Sequence, residues 1–246
     1  MDWKDLSPGV SIAFCQTGTR YVQSPLPGIL SNLQNAAQAA GRPTPSLLAV
    51  SKTHPADAIA ALAAQGQRAF GENYVQEALA KIEALQGLAL EWHLIGHLQS
   101  NKADAVACAF DWVQSVDRLK LVQALARHRP ATLPPLNVLI QVNVDDEDSK
   151  HGCALEAVDA LAAAISTEPT LRLRGLMAIP APWPDAARRQ QAFRRMYQAQ
   201  QALADLHPGA DTLSMGMSGD YAEAIAEGST MVRIGTALFG ARPRPA

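Results

Sequence analysis

The chain has 246 residues, with 21 Lys and Arg against 23 Asp and Glu, a formal net charge of -2 and an apolar share of 48%. Apolar mass on this scale supports a sizeable buried core and excludes an intrinsically disordered chain. The near-neutral balance, without a long block of one sign, excludes binding driven by a basic field around nucleic acid or anionic lipid.

The first two dozen or so residues show no clear periodicity. Ile29, Leu30, Leu33, Ala37 and Ala40 then recur at helical spacing until Gly41-Arg42-Pro43 interrupts the pattern, which predicts a leading helix. From there short apolar runs alternate with Ala-rich amphipathic stretches. The runs predict strands at Leu47 to Ser51, Ala69 to Glu72, Glu91 to Ile95, Trp112 to Val116, Leu136 to Val144, Leu171 to Ile179, Thr212 to Met215 and Thr230 to Phe239. Helices are predicted near Ala56 to Gln65, Val75 to Leu85, Ala103 to Ala109, Arg118 to His128, Leu155 to Ile165, Asp185 to Leu206 and Tyr221 to Ala226.

Eight strands with a helix in each crossover, in a chain close to the roughly 250 residues typical of the fold, predict a single (β/α)8 barrel preceded by an extra helix. The expected division is a tail over residues 1–23 and one barrel domain over residues 24–246. An open doubly wound sheet is the alternative, but no Gly-x-Gly-x-x-Gly follows the first strand, so a dinucleotide site has no support. No window has the roughly 18 consecutive apolar residues of a spanning helix, and the opening MDWKDLSPGV lacks the order of a signal peptide. Cys15, Cys108 and Cys153 are scattered and odd in number, as expected of a reduced, cytoplasmic protein with neither a disulfide framework nor a structural zinc site.

In this fold reactive groups sit at the C-terminal ends of the strands. The first strand, Leu47-Leu48-Ala49-Val50-Ser51, runs straight into Lys52. A lysine partly desolvated at the barrel mouth is biased toward the neutral amine, which condenses with an aldehyde or ketone. At the other end of the chain, Ser214-Met215-Gly216-Met217-Ser218-Gly219 closes the seventh strand, and Arg233-Ile234-Gly235-Thr236 lies in the eighth. The loops after strands seven and eight are the usual phosphate station of the fold, where glycines admit an anion to the backbone and hydroxyls add donors. An amine facing a phosphate cup describes a site for a phosphorylated aldehyde. Pyridoxal 5'-phosphate and a sugar phosphate cleaved by a Schiff-base aldolase both fit that description.

The segments Leu48-Ala49-Val50-Ser51-Lys52-Thr53, Phe70-Gly71-Glu72-Asn73-Tyr74-Val75-Gln76-Glu77 and Trp92-His93-Leu94-Ile95-Gly96-His97-Leu98-Gln99-Ser100-Asn101-Lys102 resemble signatures of the pyridoxal phosphate homeostasis protein family (YggS/PROSC type). Gln141 to Val144, Arg174 to Pro180 and the two C-terminal segments do so as well, in order from about Ile29 to Arg242. The resemblance implies a barrel similar to the N-terminal domain of bacterial alanine racemase, with Lys52 carrying pyridoxal 5'-phosphate as an internal aldimine. It also implies phosphate contacts from Ser218, Gly235 and Thr236, an Arg233 that faces the pyridine nitrogen, and a mouth lined by Asn73 and His93. His54 stands at a variable position and receives no role.

An arginine cannot accept a proton, so carbanion chemistry at the cofactor is muted. Racemisation also needs a second base, which related enzymes draw from an additional β domain that this chain is expected to lack. The expected function is therefore storage, delivery or buffering of the cofactor, with cofactor-dependent apoenzymes as partners and a monomeric state; a small racemase is the enzymatic alternative. No metal is expected. His93 and His97 are four residues apart but not on a helix, and the run Asp145 to Asp148 reads as a solvated loop. The basic residues Arg188, Arg189, Arg194 and Arg195 read as the polar face of a helix, so no nucleic acid is expected there, and Lys150 reads as a mobile lysine at the active face.

Overall fold

The computed structural model describes residues 12–14, 20–22, 24–145 and 151–240. A short antiparallel pair, Ile12–Phe14 with Arg20–Val22, precedes the main body. Helix α1 spans Leu26–Ala39 and begins with a proline at its N-terminus, where a missing N–H costs nothing.

Eight strands follow: β1 (Ser46–Val50), β2 (Ala69–Glu72), β3 (Glu91–Leu94), β4 (Trp112–Val116), β5 (Leu136–Val142), β6 (Leu171–Ala178), β7 (Thr212–Met217) and β8 (Met231–Ile234). They pair in parallel in chain order and close between β8 and β1, giving the predicted eight-stranded barrel. Helices α2 (Ala56–Ala63), α3 (Val75–Ala84), α4 (Ala103–Ala109), α5 (Leu119–His128), α6 (Val158–Ser166), α7 (Ala186–Leu206) and α8 (Tyr221–Ala226) fill the crossovers.

The last predicted strand is corrected. Strand β8 stops at Ile234, and Thr236–Phe239 forms a single helical turn, α9. The apolar run continues past the strand, so hydropathy alone carries the strand too far, whereas the backbone turns at Gly235.

Strand alternation sorts the side chains into two sets. Leu47, Ala49, Phe70, Leu94, Val113, Val138, Ile140 and Leu213 join the continuous apolar core between the strands and the helices. Trp112, Leu139 and Met177 form a separate small cluster, and fully buried Gln114, His93 and Ser214 bond to one another across the barrel. The lumen is therefore partly polar, and each polar group in it needs a partner.

Gly175 shapes the β6 wall. Its φ is +135°, at a register shift between β5 and β6, and an added Cβ would lie 2.0 Å from the Thr212 carbonyl oxygen. Gln200 on α7 occupies the same spot, accepting from Leu176 N at 3.0 Å and donating to Ala210 O at 2.6 Å. The basic stretch of α7 is bound within the molecule: Arg189 pairs with Glu223 at 2.7 Å, Arg194 with Glu227 at 2.8 Å, Arg195 donates to Val144 O, and Arg188 lies over Trp183.

Replacing Gly175 by Ala forces a Cβ into backbone at a left-handed φ. The expected loss is about 3 kcal/mol, or roughly 6–12 °C in Tm for a domain of this size, read by thermal denaturation.

Candidate functional site

The C-terminal ends of the strands enclose a cavity of about 260 Å3. Its wall draws Val50 and Lys52 from the end of β1, Asn73 from β2, Ile95 from β3, Ile179 from β6, Met217 to Gly219 from β7, and Arg233, Gly235 and Thr236 from β8. Six predicted site residues, Lys52, Asn73, Ser218, Arg233, Gly235 and Thr236, therefore meet in one place. A second compartment of about 230 Å3 shares Asn73, Ile95 and Ile179 with the first and is otherwise bounded by Gly96, His97, Gln141, Val142, Asn143 and His151.

His93 is corrected. It is fully buried and absent from the cavity wall, with Gln114 Nε2 2.9 Å from its Nδ1, Glu91 Oε1 2.8 Å from its Nε2, and its ring stacked on Trp112. Strand periodicity explains the difference: Ile95 is the residue of that face that reaches the mouth, and His93 lies one step deeper. Burial drives the His93 pKa down against the raising effect of Glu91, and the same bond holds Glu91 below the usual carboxylate range.

The backbone on both sides of Lys52 is held by charges that the sequence reading overlooked. Lys81 on α3 is buried and uses all three of its donors, to Glu72 Oε1 at 2.7 Å, Glu77 Oε1 at 2.6 Å and the Ser51 carbonyl at 2.9 Å. The Ser51 hydroxyl donates to the same Glu72 oxygen at 2.6 Å, and the Thr53 amide donates to Glu77 Oε1 at 2.6 Å. Burial pushes the Glu72 carboxyl above its ordinary range, opposed by the bonds from Lys81 and Ser51. Thr53 has a φ of 66°, a left-handed conformation that costs a β-branched residue about 1–3 kcal/mol. That strain sits immediately after Lys52 and is held by the Glu77 carboxylate.

Gly96 was likewise legible only as part of a motif. A Cβ there would lie 2.1 Å from the Asn73 carbonyl oxygen, so the turn after β3 packs directly on the turn after β2.

On β8, the strand paired with β1, Arg233 is almost fully buried, and burial pushes its pKa down to about 10. It donates from Nη1 to Ser214 O and Oγ, both at 2.8 Å, and from Nη2 to Ala178 O at 2.8 Å. These bonds use three of the five N–H groups of a guanidinium, leaving donor capacity beside the cavity. Asn73 Oδ1, also at the cavity, is buried without a hydrogen-bond partner among the described residues. A buried polar atom in a pocket wall suits a polar ligand.

The structure also groups His97, Asp117 and His151, with candidate ligand atoms within 4.8 Å of one another. The two imidazoles are stacked 3.8 Å apart at 15°, and Asp117 is engaged by Arg118. Asp145 accepts from Ala181 N at 2.6 Å and Trp183 Nε1 at 3.3 Å, tying the turn after β5 to the turn after β6. Lys150, Cys15 and residues 146–148 of the acidic run lie outside the described residues.

Comparison with known proteins agrees with this geometry. The family model for the alanine racemase N-terminal domain matches residues 26–243. The chain is 57% identical over 216 residues to a pyridoxal phosphate homeostasis protein of Pseudomonas aeruginosa, covering 87% of this chain and 93% of the relative. It is 58% identical over 200 residues to the protein of that name from Escherichia coli K12, covering 80% and 86%. Among solved structures it is similar to PipY of Synechococcus elongatus without pyridoxal phosphate, with a TM-score of 0.79, 38% identity and coverage of 88% and 98%. PipY with pyridoxal phosphate bound gives a TM-score of 0.74 at 38% identity, covering 86% and 100%.

Substituting Lys81 by Met strands Glu72 in the interior without its counter-charge, an expected loss of about 3–5 kcal/mol in urea denaturation. The double variant Lys81→Met/Glu72→Leu regains most of that stability, because no unpaired charge remains.

Proposed function

The chain belongs to the alanine racemase N-terminal domain family, and on that premise we propose that it holds pyridoxal 5'-phosphate as a Schiff base on Lys52 and stores, delivers or buffers the cofactor without robust turnover. The observation that carries this reading is the single cavity shared by the Lys52 end of β1, the Ser218 turn after β7 and the Gly235–Thr236 turn after β8. Amine and anion cradle thus face the same space. The names of the close relatives and the cofactor-bound PipY structure support it further.

In this reading Ser218, Gly235 and Thr236 hold the phosphate, Arg233 faces the ring nitrogen, and Asn73 supplies a polar contact at the wall. The half-buried Lys52 condenses with the cofactor aldehyde, releasing water. Bound pyridoxal phosphate is an electron sink, most effective when an acidic partner protonates its ring nitrogen. Arg233 only donates and has no proton-accepting site, so it does not serve as that partner.

The cavity wall supports a non-enzymatic role on a second count. Among the described residues that line it, Lys52 and Arg233 are the ionisable side chains, and racemisation requires a base on each face of the substrate carbon. A guanidinium does not fill that place. Among the described residues no helix is long and apolar enough to cross a membrane. We read the chain as a cytoplasmic monomer that exchanges the cofactor with dependent apoenzymes.

Borohydride reduction after incubation with pyridoxal phosphate should fix one adduct, located by mass spectrometry on the peptide containing Lys52. The visible absorption of the loaded protein should vanish in Lys52→Ala. Sustained turnover of amino acids by the wild-type protein would defeat the storage role, and an adduct on another lysine would displace the site.

A further inference from the structure

Arginine offers donors only, so Arg233 dictates the direction of every hydrogen bond leading away from it. The Ser214 hydroxyl accepts from Arg233 Nη1 at 2.8 Å, and its own hydrogen goes to Gln114 Oε1 at 2.7 Å. With Oε1 committed to the serine, the amide nitrogen of Gln114 faces His93 Nδ1 at 2.9 Å and donates to it. His93 Nδ1 is then an acceptor, its ring hydrogen sits on Nε2, and that group donates to Glu91 Oε1 at 2.8 Å. Each assignment follows from the one before.

The chain crosses the barrel. Ser214 belongs to β7 and Gln114 to β4, strands that are not neighbours in the closed order, so the bond between them spans the lumen. Ser214, Gln114 and His93 are each fully buried. The series starts at a cation beside the cavity and ends at Glu91, the first residue of β3, at the opposite end of the barrel. A partner of either kind is available at every link, which is what a buried polar network requires if it is to rigidify its members.

We propose that Gln114 and His93 are positioning residues for the cofactor: through this one-way series of donors they fix the guanidinium of Arg233, so that the donor it presents to the bound ring is set from the far end of the barrel. The proposal rests on the cofactor reading given above. No other arrangement of Gln114 and His93 satisfies both Ser214 and Glu91 while Arg233 stays in place. Without the series, Arg233 would retain, among the described residues, its two carbonyl contacts, Ser214 O and Ala178 O.

The substitution Gln114→Glu keeps the volume and replaces the Nε2 donor by an acceptor. With the new carboxyl group ionised, His93 donates to it from Nδ1 while still donating from Nε2 to Glu91, which requires the doubly protonated ring. Ser214→Ala cuts the series next to Arg233 and leaves the carbonyl contacts intact. Gln114→Met removes both polar links at similar volume and controls for packing.

The test uses the full-length protein. Nitrogen-15 spectra of the histidine side chains at neutral pH should show a neutral, Nε2-protonated His93 in the wild type and a doubly protonated ring in Gln114→Glu. After loading with pyridoxal phosphate, Ser214→Ala and both Gln114 variants should keep the Lys52 adduct but bind the cofactor roughly tenfold more weakly, with a shifted visible absorption maximum. A wild-type His93 protonated on Nδ1, or folded variants whose absorption and affinity match the wild type, would overturn the inference. A wild-type protein that forms no adduct overturns the cofactor reading, and this inference with it; the histidine spectra separate that result from a failure of the hydrogen-bond series alone.

Discussion

Closure of the barrel between β8 and β1 is the constraint on which the site depends. The parallel register sets Arg233 beside Leu48 and Ile234 beside Ala49, so the residues that follow each strand, Gly235 and Thr236 on one side and Lys52 on the other, emerge next to each other. Positions more than 180 residues apart in sequence become neighbours through four backbone pairings. Strand periodicity makes that register demanding: a slip by one residue would turn Arg233 from the lumen into the apolar layer under the helices.

The two layers of the barrel divide the work. Between strands and helices the core is continuous and apolar, built from Leu, Val, Ile and Ala at alternate strand positions and on the inner faces of the helices. Inside the strands the space is partly polar, and Ser214, Gln114 and His93 are held there by pairing with one another instead of by hydrophobic area. The same logic governs the charges behind Lys52. Lys81 and Glu72 are buried and Glu77 half-buried; Lys81 fastens the Ser51 carbonyl, Glu77 the Thr53 amide and Glu72 the Ser51 hydroxyl. One buried network ends on a residue of the cavity, Arg233, and the other on the two neighbours of Lys52.

Much of this was legible in the sequence, for physical reasons that differ by residue. Lys52 stands out because a charged residue directly after an apolar strand has one place to go. Gly235, Thr236 and Ser218 stand out because small and hydroxyl residues after the last two strands have a recurrent use in this fold. His93 was misplaced by one step along β3 because an apolar run does not mark where a strand leaves the barrel. The end of β8 was overrun because the helical turn at Thr236–Phe239 is as apolar as the strand before it. Lys81, Gln114 and Gly96 gave weaker signals. Lys81 reads as an ordinary surface lysine of an amphipathic helix and Gln114 as one polar residue in an apolar strand, and their partners lie on elements that only the tertiary fold brings close.

The left-handed backbone at Thr53 bears on how this chain can be altered. Glycine adopts such a conformation without steric penalty, so Thr53→Gly lies on an easy route to a more stable protein. That route also frees the peptide following Lys52 to sample other orientations. Relief of the strain at this position thus comes with a looser backbone beside the cavity, a loosening that the Glu77 contact to the Thr53 amide now opposes.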